Sequence, residues 1–126
     1  MSNLEAGRAI LADIFGPEFL PKRDKKRTKF NEVIQDYSDD VCFGRTWSRP
    51  GLDRKMRSVL NVTMLVALNR PNQLRTHVQG AILNGVTVEE LQEIILHAAV
   101  YAGLPAAVDG FRIAEEVLRE MKVITD

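Results

Sequence analysis

His77 and His97 are the only imidazoles in the chain, and both fall within the segment RPNQLRTHVQGAILNGVTVEELQEIILHAAVYAGLPAA, residues 70–107. Imidazole is the side chain whose ordinary pKa lies near neutrality, so proton chemistry at physiological pH concentrates here. His77 stands three positions after Leu74 and four before Ala81, which sets its ring beside an apolar helical stripe. A histidine so placed is either a hydrogen-bonded core residue or a catalytic group. Further on, Glu90, Glu93, His97 and Tyr101 recur at three- and four-residue steps, giving one helix face four groups able to handle protons. The alternative keeps Glu90 in a helix cap, pairs Glu93 with His97 on the surface and packs Tyr101 in an interface.

Arg49, in WSRPGL, and Arg57 could grip a carboxylate, which guanidinium groups bind in a two-pronged geometry. Their structural alternative is to pin the loop and the first turn of the following helix. Other chemistries find little support. There is no HExxH pair, no His/Cys cluster and no third convergent ligand, so no metal site is expected. Ser48 and Ser58 lie in no nucleophile elbow, Cys42 is the lone cysteine and has no CxxC partner, and no Gly-rich phosphate loop occurs.

The elements that must position these residues are helical. Leu4, Ile10, Leu11, Ile14 and Phe15 have helical spacing, and Gly16-Pro17 ends that helix because proline disfavours helical geometry in the residue before it. Lys22 to Lys29 (KRDKKRTK) reads as a solvated charged turn, Phe30 to Tyr37 as a further helix, and SDDVCFGRTWSRPGL, with the only tryptophan, as a loop. Asp53 is a candidate N-cap for a helix that is apolar almost all round, from Met56 through Val62 and Val66 to Leu68, and such a helix belongs at the centre of a fold. Pro71 closes it. Leu74, Val78, Ala81 and Ile82 form the next stripe, ended by Gly85 in the position of a left-handed cap, so the two make a helical hairpin. Thr87-Val88-Glu89-Glu90 has capping-box spacing and starts a helix whose apolar face includes Leu91, Ile94, Ile95 and Ala98. Gly103-Leu104-Pro105 separates it from a last helix carrying Phe111, Val117 and Met121. No segment alternates as a half-buried strand does. An all-α fold of about six helices, in one domain over residues 1–126, is the expectation.

Composition narrows the partners. Seventeen basic and seventeen acidic residues cancel, so no global field favours nucleic acid or an anionic membrane. Glu5, Arg8 and Asp13 interrupt the first apolar stretch, which is wrong for a signal peptide, and no apolar run reaches the ~18 residues of a membrane span. With one cysteine, the chain fits a reducing, cytoplasmic setting.

The stretch from Trp47 to Val117 closely resembles the carboxymuconolactone decarboxylase family. The resemblance is carried by W-x-R-P-G-L, the Arg57-Ser58 start of the central helix, A-L-x-R-x-x-x-L-x-x-H ending at His77, N-G-V-T-x-E-E-L-x-E and Y-x-G-x-P-A-A, with a weaker match upstream through ILADIFGPEFL. It implies an alkylhydroperoxidase D-like helical subunit, assembled as a homo-oligomer: a dimer, or a hexamer built as a trimer of dimers. It also implies cofactor-free decarboxylation of a small carboxylated lactone, 4-carboxymuconolactone to 3-oxoadipate enol-lactone, in the protocatechuate branch of aromatic catabolism. Redox relatives of this fold use a CxxC before the histidine that His77 matches. Arg70 and Gln73 occupy those cysteine positions, which excludes thiol chemistry there.

On this resemblance His77 is the proton donor or the partner of the oxyanion, Glu93 sets its protonation, and Arg57 and Arg49 anchor substrate carboxylates. Tyr101 is a pocket donor, Trp47 a dry wall, and His97 a spare hydrogen-bonding residue where relatives often have glutamine. Many relatives carry W-G-E-x-W where this chain has Phe43-Gly44-Arg45-Thr46-Trp47, a cation in place of an acid, which bears on substrate identity. Two other functions fit the same residues: a lactonase or peroxidase-like enzyme on this scaffold, and a non-catalytic oligomeric binding protein.

Overall fold

The computed structural model describes all 126 residues as seven α-helices and one π-helical segment, with no strand. In order these are α1 (Asn3–Phe15), α2 (Phe19–Asp24), α3 (Glu32–Tyr37), the π-helical segment (Ser38–Trp47), α4 (Arg54–Ala67), α5 (Pro71–Leu83), α6 (Val88–Ala102) and α7 (Leu104–Glu120). They fall into two compact units, Met1–Arg54 and Lys55–Asp126, each with its own core. No helix is long and apolar enough to cross a membrane.

In the N-terminal unit, α1 starts at a reciprocal cap in which the Glu5 amide donates to Ser2 Oγ and the Ser2 amide to the Glu5 carboxylate. It ends where Gly16 adopts a φ of 92°, before Pro17. Its buried face, Ile10, Leu11, Ile14 and Phe15, packs with Phe43 and Trp47 of the π-helical segment. The aromatic rings touch in sequence, Phe15 edge-on to Phe43 at 6.1 Å and Phe43 stacked on Trp47 at 5.6 Å. That segment corrects the expectation of a loop over residues 38–52, which holds only beyond Trp47. Its turn residues do not break the helix because Gly44 lets it lie against the start of α1, where a Cβ would collide with the carbonyl oxygen of Asn3. Gly7 does the same from the other side, with a Cβ there colliding with the carbonyl of Asp39.

The basic run also behaves differently from a solvated turn. Arg23 closes a two-pronged ion pair on Asp39, with both N–O distances at 2.6 Å, and the carboxylate is only 1% exposed. Arg27 grips Asp36 in the same geometry at 3.0 and 3.2 Å. Arg8 likewise holds Asp24, whose carboxyl is kept below its ordinary range by that hydrogen bond. Acids on α3 and the π-helical segment thus recruit two of the run's cations.

The C-terminal unit is an apolar assembly of α4 to α7. Val62, Leu74, Val78, Leu91 and Ile95 are at most 2% exposed, and burying each contributes roughly 1.5–3 kcal/mol. Turn chemistry sets its corners. At the end of α5 the Gly85 amide donates to the Ile82 carbonyl and the Val86 amide to that of Ala81, with Gly85 at a φ of 99°, a double closure that satisfies the last carbonyls. Thr87 and Glu90 then form the expected capping box, with bonds of 2.9 and 3.0 Å. Helix α4 begins directly after Asp53 but is not buried all round. Ser58, Val62 and Val66 face inward, whereas Met56, Leu60 and Met64 remain exposed. One face suffices for this unit's core, and the other apolar face stays uncovered in the single chain.

Candidate active site

The polar groups that meet inside the C-terminal unit come from α4 and α5. His77 projects from α5 into largely buried surroundings, and burial pushes its pKa down from 6.5 to about 4. The charged imidazolium loses hydration there, so the ring is neutral at pH 7. Its Nδ1 lies 3.4 Å from the side-chain amide nitrogen of Asn61 on α4. One turn earlier, the hydroxyl of Ser58, 1% exposed, accepts a 3.0 Å hydrogen bond from the Asn84 amide that follows α5. These two contacts join α4 and α5 at both ends of a short polar seam and fix how one helix lies along the other.

Arg57 adjoins this seam. It precedes Asn61 by four residues, hence lies on the same side of α4, and is itself partly buried. The seam therefore offers a neutral imidazole, a guanidinium and a carboxamide, groups able to bind an anion and to donate hydrogen bonds to an oxygen that becomes negative.

The other residues singled out from sequence are placed differently. Glu93 is exposed on α6, and burial is the cause of the His77 shift. His97 and Tyr101, also on α6, are exposed with their rings 5.0 Å apart. Glu90 is taken up by its cap and by Lys55 at 3.1 Å, and the Thr87 backbone amide leads in holding its carboxyl below the ordinary range. Trp47 and Arg49 belong to the N-terminal unit. Trp47 is a core residue stacked on Phe43, and Arg49 is exposed just beyond the π-helical segment. No group of three or more His, Cys, Asp or Glu side chains converges as a metal site would require.

Sequence reasoning passed over Asn61, weighed Ser58 only as a nucleophile and a motif residue, and met Asn84 only as the start of the N-G-V-T motif. A signal for the first two existed: they are uncharged polar residues three apart in a helix whose second half is mainly apolar, toward the side that turns inward.

The family model for the carboxymuconolactone decarboxylase family matches residues 33–116. The chain is 36% identical to the 4-carboxymuconolactone decarboxylase of Acinetobacter baylyi, over 93% of its own length and 87% of the relative's. It is 33% identical to the nitrosuccinic acid decarboxylase of Metarhizium robertsii, over 93% of this chain and 82% of that one. All the residues of the polar seam, and both histidines, lie inside the matched region, and the helical fold agrees with the resemblance seen in the motifs. The chain belongs to the carboxymuconolactone decarboxylase family.

Proposed function

We propose that this protein is a cofactor-free carboxy-lyase for a small acid whose departing carboxylate leaves its electron pair on oxygen, with 4-carboxymuconolactone as the first substrate to test. Two relatives named as decarboxylases support the carboxy-lyase activity. Their named substrates share one demand. In a carboxylated unsaturated lactone the pair released on loss of CO2 runs through the ring alkene to the lactone carbonyl, and in nitrosuccinate it runs to the nitro group. Both therefore pass through an oxygen-centred anion, which is then protonated on carbon with net uptake of one proton from solution.

The observation that carries this reading is the contact of the neutral His77 with Asn61 on the polar seam, with Arg57 one turn before Asn61 on the same side of α4. A neutral imidazole N–H is a poor acid but a good hydrogen-bond donor, so His77 acts as the oxyanion's partner and the carbon takes its proton from water. Arg57 anchors a substrate carboxylate. Low hydration around the seam disfavours the charged carboxylate relative to CO2. Glu93, His97 and Tyr101 are assigned to the rim of the site. The exposed apolar residues of α4 and α6, including Met56, Leu60, Met64, Leu96 and Val100, support a homo-oligomer in which these faces are covered.

Purified protein mixed with 4-carboxymuconolactone, and separately with nitrosuccinate, tests the reading by ultraviolet absorbance and CO2 release. Turnover of at least one is expected. His77→Ala should lower kcat by about 10²-fold or more, on the scale of a lost oxyanion donor. Arg57→Ala should act mainly on KM. Absence of turnover with both acids, or full activity of His77→Ala, overturns it.

A further inference from the structure

We infer that Asn61 is a positioning residue that fixes the tautomer of His77, holding the proton on Nε2 and so presenting that nitrogen as the hydrogen-bond donor to substrate. The inference rests on the decarboxylase reading for its catalytic meaning, but its structural half stands alone. A carboxamide nitrogen has hydrogens to give and no lone pair to accept with. Where it faces Nδ1 at 3.4 Å, that ring nitrogen must be the acceptor, and a neutral imidazole with an unprotonated Nδ1 carries its proton on Nε2.

The surroundings hold the amide in this role. Asn61 is partly buried within α4, between buried Ser58 and Val62, and the Ser58–Asn84 hydrogen bond one turn away fixes α4 against α5. The ring is kept neutral by burial, so it is a tautomer rather than a charge that the amide selects. An enzyme that uses a neutral histidine as an electrophilic donor needs the correct nitrogen protonated in the resting state. Asn61 supplies that without adding a charge that would turn the ring into an imidazolium.

The test is the long-range proton–nitrogen correlation spectrum of uniformly nitrogen-15-labelled protein near pH 7. Only His77 and His97 contribute, and His97→Asn identifies the His77 pattern. The expected result is the Nε2–H pattern for His77 in the wild-type protein. In Asn61→Asp, a side chain of the same shape that can only accept when ionised, Nδ1 should gain a proton, seen as the Nδ1–H tautomer once the pH is raised enough to keep the ring neutral beside the new carboxylate. With a substrate that turns over, Asn61→Asp at that pH should lower kcat by about 10²-fold, the scale of a lost oxyanion donor, while KM stays within about threefold. Asn61→Leu should lose tautomer selection without reversing it.

A wild-type His77 in the Nδ1–H form overturns the inference, and so does an Nε2–H pattern that Asn61→Asp leaves unchanged. If Asn61→Asp fails to fold, Asn61→Leu makes the comparison, and an Nε2–H population undiminished there overturns the inference. An Nε2–H pattern that reverses in Asn61→Asp, in a protein that decarboxylates neither acid, supports tautomer selection and overturns the decarboxylase reading instead. Turnover in Asn61→Asp at the wild-type rate overturns the catalytic role while leaving that reading in place.

Discussion

The two units of this chain solve the problem of burying polar groups in opposite ways. The N-terminal unit drives a full carboxylate, Asp39, into its interior and closes it with the Arg23 guanidinium, while two glycines bring α1 and the π-helical segment into backbone contact. In the C-terminal unit the ion pairs Lys55–Glu90 and Arg75–Glu116 lie open to solvent. Its interior is apolar, and its polar seam consists of a hydroxyl, two carboxamides and a neutral histidine, with Arg57 beside it. Charge in the first unit is used for structure. In the second, the seam is built mainly of neutral groups, and a neutral donor shielded from water responds more strongly to charge that develops during a reaction than one already holding a tight ion pair.

The contrast breaks most visibly at Asp39. Asp39→Ala leaves the partly buried Arg23 without its counter-charge and should cost about 3–5 kcal/mol. The single tryptophan, Trp47, lies in the same core, so urea unfolding followed by its fluorescence reads this loss directly. A midpoint unchanged from wild type would mean that the ion pair is not what holds this unit.

A somewhat smaller effect, acting through pH, is expected in the C-terminal unit. Burial lowers the pKa of His77 from 6.5 to about 4, so between those values the unfolded chain binds the proton and the folded chain does not. The contribution to stability is whole above pH 6.5 and is lost as pH falls through about 4. It amounts to roughly 3 kcal/mol at about 1.4 kcal/mol per pH unit. Replacing His77 with glutamine should flatten this part of the stability profile; a profile equally steep in the variant would assign the slope to other groups.

Thr87→Ala tests the capping that the C-terminal unit relies on and should cost about 1 kcal/mol by thermal or urea unfolding. The smallest effect belongs to the surface. Arg112→Ala removes pairs with Asp109 and Glu116 that are open to solvent, and should change stability by no more than about 0.5 kcal/mol. A larger loss there would blur the distinction between buried and exposed charge on which the comparison rests.

The same division explains what could be seen from the amino acids alone. Gly85, the Thr87–Glu90 box and Gly103-Leu104-Pro105 act within a few residues, so helices α5 to α7 were legible from local rules. The π-helical segment was not, because it depends on partners far along the chain: Arg23 stands sixteen residues before Asp39, and Gly7 and Gly44 meet only once the unit is folded. Helix α4 looked central because its apolar residues run all round, but one chain covers only one side of them. At the site, His77 was legible from its spacing and motif. Its partner was not, since an asparagine within a helix becomes meaningful only when the neighbouring helix brings an imidazole against it.

The backbone contact in the N-terminal unit also limits what its sequence can become. At Gly7 and Gly44 even a methyl group meets a carbonyl oxygen rather than a movable side chain, so no neighbour can turn aside to make room. Elsewhere a core can drift, one residue shrinking as another grows. These two positions have no such exchange partner: lineages that keep the crossing must inherit both glycines together, and a lineage that loses one must rebuild the start of the protein around a different packing of its first helix.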